Sequence, residues 1–234
     1  MSVITWDSAQ STLDGMGVSE YLIGFTDQGK PVTFHMDGDA SNVHVMTSSG
    51  GGASSLLRLF ARQMNGRSDV ADIHVIGPTR ITGRFIGMEK VIESRGSLET
   101  TPEVINGHHE RMVSTFADVW EAMMILNRRV LLIDRVDVLF RRLGSPEREK
   151  LIELASLGRA AGVHLIVTSN GPAGMDPAFR AQFGTQIVAR VTANTWRELN
   201  TADPMPEEIR TGQRGMFAVI RNGGTIVTRA VYSD

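Results

Sequence analysis

The chain has 234 residues, 41% hydrophobic and 21% charged, with a formal net charge of −2 and no cysteine. That balance excludes disulfides, cysteine-ligated metal and a global basic field for nucleic acid. It fits one α/β domain with a sizeable core in a reducing cytoplasm. No basic-then-apolar leader opens the chain and no apolar run nears the roughly 20 residues that span a bilayer, so a soluble protein without a membrane partner is expected.

Residues 1–20 are mixed and spotted with Ser and Gly, and read as a loosely docked arm ahead of a domain over 21–234. Tyr21–Thr26 and Pro31–His35 flank the turn signal Asp27-Gln28-Gly29, which predicts a first hairpin. Val43–Met46 is short and apolar, as a buried central strand is, and Ser54–Met64 predicts a helix after a glycine loop. Ile73–Ile76 is the next strand, ending at Gly77-Pro78, whereas residues 79–100 carry little pattern. Thr101-Pro102-Glu103 combines an N-cap, a first-position proline and a first-turn acid. Met112, Phe116, Val119, Met123 and Leu126 then recur on one face of a long helix, a face suited to core packing. Val130–Ile133 is a strand that closes on Asp134, and Ser145-Pro146 opens a helix that Gly162 caps. His164–Thr168 and Gln186–Val191 are further apolar strands. Arg221-Asn222-Gly223-Gly224 joins Met216–Ile220 to Thr225–Val231 as a closing hairpin. Strands alternating with helices predict a mostly parallel α/β sheet.

Two stretches carry chemistry. In Thr47-Ser48-Ser49-Gly50-Gly51-Gly52-Ala53-Ser54-Ser55, small residues follow a strand and precede a helix. Backbone N–H groups in such a loop converge on a phosphate, and the helix points its N-terminus at the same spot. Laid over G-x-x-x-x-G-K-[ST], the stretch keeps the last glycine, Gly52, and the hydroxyl, Ser54, but has Thr47 for the first glycine and Ala53 for the lysine. A triple glycine alone also makes a flexible turn. The second stretch, Val130-Leu131-Leu132-Ile133-Asp134, delivers a carboxylate to the carboxyl end of the sheet, where α/β folds bind ligands and where Mg²⁺ takes oxygen donors. Ser54 and Asp134 are therefore the candidate metal ligands. Arg135 follows where many such ATPases have a glutamate base; an arginine stays protonated. Beside Asp134 it is expected to pair with that carboxylate and compete with Mg²⁺.

Residues 155–172 include Gly158-Arg159-Ala160-Ala161-Gly162-Val163-His164 and end in Thr168-Ser169-Asn170-Gly171-Pro172. They resemble the FtsK/SpoIIIE family of DNA-pumping ATPases, in which G/A-R-A-A-G-I-H leads into an apolar strand and A-T-Q-R-P. Gly29-Lys30-Pro31-Val32, Val43-His44-Val45 and the ending from Arg229 to Asp234 follow in family order. The resemblance covers roughly residues 20–234. It implies a RecA-like P-loop NTPase fold, mostly parallel with antiparallel hairpins at the edges. It also implies ATP with Mg²⁺ as cofactor, a homo- or hetero-oligomeric ring, and double-stranded DNA as partner. Degenerate modules of type VII secretion ATPases, which resemble the same family, point instead to protein partners. Implied nucleotide contacts are Ser49, Gly50, Gly51, Gly52, Ala53, Ser54 and Ser55. Asn170, in place of the family's glutamine, would orient water or sense a phosphate. Arg159 or Arg197 would complete a neighbour's site. Ala53, Arg135, Asn170 and Gly171 all depart from the pattern, which implies impaired hydrolysis.

Overall fold

The computed structural model describes residues 4–38, 41–77, 85, 88–95, 101–117, 128–199 and 202–232. The strands are β1 (Ile4–Thr5), β2 (Glu20–Phe25), β3 (Pro31–His35), β4 (Val43–Thr47), β5 (Val70–Gly77), β6 (Val91–Arg95), β7 (Arg128–Ile133), β8 (Val163–Ser169), β9 (Thr185–Ala189), β10 (Met216–Arg221) and β11 (Gly224–Tyr232). The helices are α1 (Trp6–Asp14), α2 (Ala53–Asn65), α3 (Thr101–Ala117), α4 (Val136–Arg142), α5 (Ser145–Leu157), α6 (Pro177–Arg180), α7 (Ala193–Arg197) and α8 (Glu207–Arg210).

The described strands form one sheet in the order β3-β2-β11-β10-β9-β4-β8-β7-β5-β6, with β1 added parallel to β11. From β9 to β6 every pairing is parallel, while β10, β11, β2 and β3 run antiparallel. Central strands buried on both faces read as continuous apolar runs, and β4 and β8 are buried at every position. Successive side chains still alternate between faces. Val43 and Val45 join the cluster under α2, and Leu165 and Val167 join the cluster on the other face with Leu151 and Leu154 of α5. Leu56, Leu57, Leu59, Phe60 and Met64 of α2 are buried, each contributing about 1.5–3 kcal/mol by leaving water. Such packing holds α2, and hence the loop before it, in a fixed position over the sheet.

Local signals act as their chemistry requires. Gly162 adopts φ 70° and its N–H closes the turn on the Arg159 carbonyl. Asn222 and Gly223, at φ 49° and 76°, make the two-residue hairpin turn between β10 and β11. The helix read from residue 101 is present to Ala117 with Met112 buried; Val119, Met123 and Leu126 lie outside the described residues. One expectation is corrected: from Ile4 to Met16 the chain is not a loosely docked arm. Ile4 pairs with Val231, Ala9 of α1 is fully buried, and Trp6, Leu13 and Met16 pack on the main core. The Thr5 side chain caps α1 by accepting from the Ser8 N–H. Among the described residues, no helix is long and apolar enough to cross a membrane.

Candidate phosphate-binding site

Parallel register brings four strand ends to one edge. Met46 of β4 lies opposite Ser169 of β8 and Val188 of β9, and Ile133 of β7 lies opposite Val167 of β8. The residues that follow these strands therefore share the carboxyl edge of the sheet. A cavity of about 650 Å³ opens there, within the size range of ligand pockets. Its walls include Thr47–Leu56, Asp134, Arg135, Asn170, Arg190, residues 213–215 and Phe217.

The glycine loop is shaped by its lack of side chains. Gly50 and Gly52 have φ of 74° and 97°, a region that suits glycine. A Cβ at Gly51 would lie 2.6 Å from the Thr47 Cβ, so only glycine fits there without rearrangement. The Gly51 N–H donates to the Ser48 carbonyl at 2.9 Å and tightens the turn. Helix α2 starts at Ala53; the Ser55 and Leu56 N–H groups donate to the Gly52 carbonyl at 3.1 Å, and the Ala53 and Ser54 N–H groups precede the first acceptor of the helix. These donors, with the helix dipole behind them, face the cavity as an anion site requires.

Asp134 is 8% exposed and fixed from behind. The Thr168 hydroxyl donates to Asp134 Oδ1 at 2.6 Å and accepts the Arg135 N–H at 2.9 Å, while the Asp134 N–H donates to the Ile76 carbonyl. Asp134 and Ser54 both line one cavity, and a carboxylate and a hydroxyl are hard oxygen donors. Mg²⁺ fits that donor set, because it needs only one or two protein ligands beside phosphate oxygens and water. Among the described residues no cluster of three or more His, Asp or Glu side chains offers a self-sufficient metal cage.

The expected Arg135–Asp134 pairing holds only as a charge interaction that helps raise the Arg135 pKa; the hydrogen bonds of the guanidinium go to Asp137. Arg135 sits at φ 67° and sends Nε and Nη2 to the two carboxylate oxygens of Asp137, each at 3.0 Å. The bidentate bond satisfies the guanidinium fork and raises the Arg135 pKa, chiefly through that hydrogen bond. Asp137 is buried, and Arg141 Nη2 stands 3.9 Å from it. Arg135, with its left-handed backbone, thus gives both fork donors to Asp137.

Among the other candidates, Ser49, Ser55 and Asn170 line the cavity with the loop. Arg159 and Arg197 do not line it. Arg159 belongs to the 3-10 turn before β8, at the opposite sheet edge, and donates to the Gly38 carbonyl at 3.0 Å. Arg197 ends α7 on the surface and bonds to Ala193 and Asn194 of its own helix. Sequence reasoning missed Thr168 and Arg190. Each is a polar residue inside a run read as an apolar strand, and that interruption was the available signal.

No protein-family model and no curated protein matches the sequence. Solved structures do match across the chain. Thermomonospora curvata EccC (ATPases 2 and 3, in complex with a signal sequence peptide) aligns with TM-score 0.78 and 15% identity, over 99% of this chain and 43% of that one. The pCW3 conjugation coupling protein TcpA, in a monomer form with ATPγS, aligns with TM-score 0.78 and 16% identity over 99% and 70%. The DNA-packaging ATPase B204 of Sulfolobus turreted icosahedral virus aligns with TM-score 0.61 and 15% identity over 84% and 100%. The chain thus spans less than half of the EccC structure it matches. At these identities the likeness is one of fold, and the fold is that of RecA-like P-loop ATPase modules.

Proposed function

We propose that this chain is an FtsK/SpoIIIE-like nucleotide-binding module that takes ATP with Mg²⁺ but is impaired in hydrolysis. The observation that carries the reading is the meeting of the glycine loop, the N-terminus of α2 and the buried Asp134 in one cavity. Backbone N–H groups of Gly50, Gly52, Ala53 and Ser54 bind the phosphates, and Ser54 and Asp134 hold the metal. Bound there, Mg²⁺ neutralises phosphate charge. Two groups that hydrolysis uses are replaced. Ala53 brings no cation to the phosphates, and Arg135 cannot accept a proton from water and is engaged with Asp137.

The likeness to an EccC structure holding a signal sequence peptide favours protein as the partner, in a scaffold role. The likeness to B204, described as a DNA-packaging ATPase, keeps double-stranded DNA as the second reading, with assembly into a ring in either case. ATP titration with and without Mg²⁺, then turnover measured with and without double-stranded DNA, tests the proposal. Saturable binding without turnover supports it, and robust DNA-stimulated hydrolysis by the unmodified chain overturns it.

A further inference from the structure

A phosphate loop without its lysine leaves several negative charges to backbone dipoles and one metal. Arg135, Arg190, Arg214 and Arg229 line the cavity, and Arg190 reaches the loop itself. Arg190 follows Ala189, which pairs with Thr47 in the parallel ladder, so register alone sets it beside the start of the loop. Its Nη1 donates to the Gly50 carbonyl at 3.3 Å. Gly212 gives it room, whereas Gly50 is in ordinary contact range. A Cβ on Gly212 would stand 3.1 Å from Arg190 Nε, and one on Gly50 would stand 3.4 Å from Nη1. The backbone at Arg190 has φ 51°, which a non-glycine residue rarely adopts. Arg190 lines the same cavity as Asp134, and the Gly50 carbonyl takes only one of the five guanidinium N–H donors. Arg135, by contrast, spends its fork on Asp137.

We infer that Arg190 is the phosphate-binding cation of this site and stands in for the lysine that Ala53 replaces. The inference rests on the nucleotide-binding reading above and assigns its charge to a residue outside the loop motif. A planar fork that contacts both the loop carbonyl and a phosphate oxygen would couple loop conformation to nucleotide occupancy.

The test is calorimetric titration of MgATP into the unmodified chain and into Arg190→Asn, Arg190→Gly and Arg190→Lys. Asparagine and glycine both tolerate the positive φ, so loss of charge is separated from backbone strain. Charge-assisted contacts change affinity about ten- to a hundredfold. Arg190 is exposed, so the lower end, about tenfold, is expected for both neutral variants, with Arg190→Lys in between. The salt dependence of binding should also flatten in the neutral variants. If the unmodified chain binds MgATP and both neutral variants bind it equally well, Arg190 is not the cation and the nucleotide site stands. If the unmodified chain binds no MgATP at millimolar concentration, the nucleotide site itself falls, and this inference with it.

Discussion

Thr168→Val is the sharpest perturbation of the site that leaves the loop untouched. Thr168 is fully buried, and its hydroxyl serves two groups at once, Asp134 Oδ1 at 2.6 Å and the Arg135 N–H at 2.9 Å. Valine keeps the shape and removes both bonds, so a buried carboxylate loses a donor and a backbone N–H loses its acceptor. Each such loss costs roughly 1–3 kcal/mol, and at about 1–2 kcal/mol apiece, the Arg135 N–H being only partly buried, the pair should cost about 2–4 kcal/mol. For a chain of this size that corresponds to a fall of roughly 5–15 °C in Tm. Thr168→Ser is the control, since it keeps the hydroxyl and deletes one buried methyl for about 0.5–1.5 kcal/mol. Urea unfolding of the three proteins side by side reads the difference. A valine variant as stable as the serine variant would show that the hydroxyl does not bridge Asp134 and Arg135.

Other substitutions and conditions test the remaining parts. Ala53→Lys should tighten MgATP binding about ten- to a hundredfold by adding a charge-assisted contact; an unchanged Kd in calorimetry would mean that the loop does not receive phosphate. Ala53→Lys with Arg135→Glu should recover measurable ATPase activity where Ala53→Lys alone recovers little, a strongly non-additive pair in a coupled phosphate-release assay; two equal single-variant gains would contradict a shared transition state. Arg135→Glu also deprives buried Asp137 of its bidentate partner, so about 1–3 kcal/mol of stability should be lost in urea, partly recovered by Asp137→Asn. Burial lowers the pKa of His44 to about 3 and of His108 and His164 to about 4. These histidines fold neutral, and the unfolded chain binds more protons below its ordinary value of about 6.5. Their contribution is therefore complete above pH 6.5 and is lost as pH falls toward 4. Urea midpoints should drop between pH 6.5 and 5, and a flat or rising profile there would contradict neutral burial.

The central sheet was legible because its strands are apolar on both faces and each ends in a chemically distinct residue. Val43–Met46, Val130–Ile133 and His164–Thr168 were expected as strands, and they lie side by side as β4, β7 and β8 around the carboxyl edge. The closing hairpin was legible from Asn222-Gly223, because few residue pairs accept positive φ twice in succession. Strand β6 was not legible: Val91–Arg95 mixes apolar and charged residues, and it is held by parallel pairing to β5, a partner that local pattern does not reveal. Helix α1 was missed for a similar reason, since its small residues such as Ala9 gain their meaning from the surface they cover. In the cavity, loop and carboxylate could be read from spacing. The Thr168 bridge, the turn of Arg135 toward Asp137 and the reach of Arg190 to Gly50 come from register and backbone geometry between distant segments.

Whether the cavity receives a metal-bound nucleotide is decided by titrating ATP into the unmodified chain and into Asp134→Asn, each in Mg²⁺ and in EDTA. A working site gives saturable binding that Mg²⁺ tightens in the unmodified chain, and a smaller Mg²⁺ effect once the Asp134 charge is gone. Absence of binding at millimolar ATP, or binding that Mg²⁺ and Asp134→Asn leave equally unchanged, would contradict the assignment of the glycine loop and Asp134 to one nucleotide site.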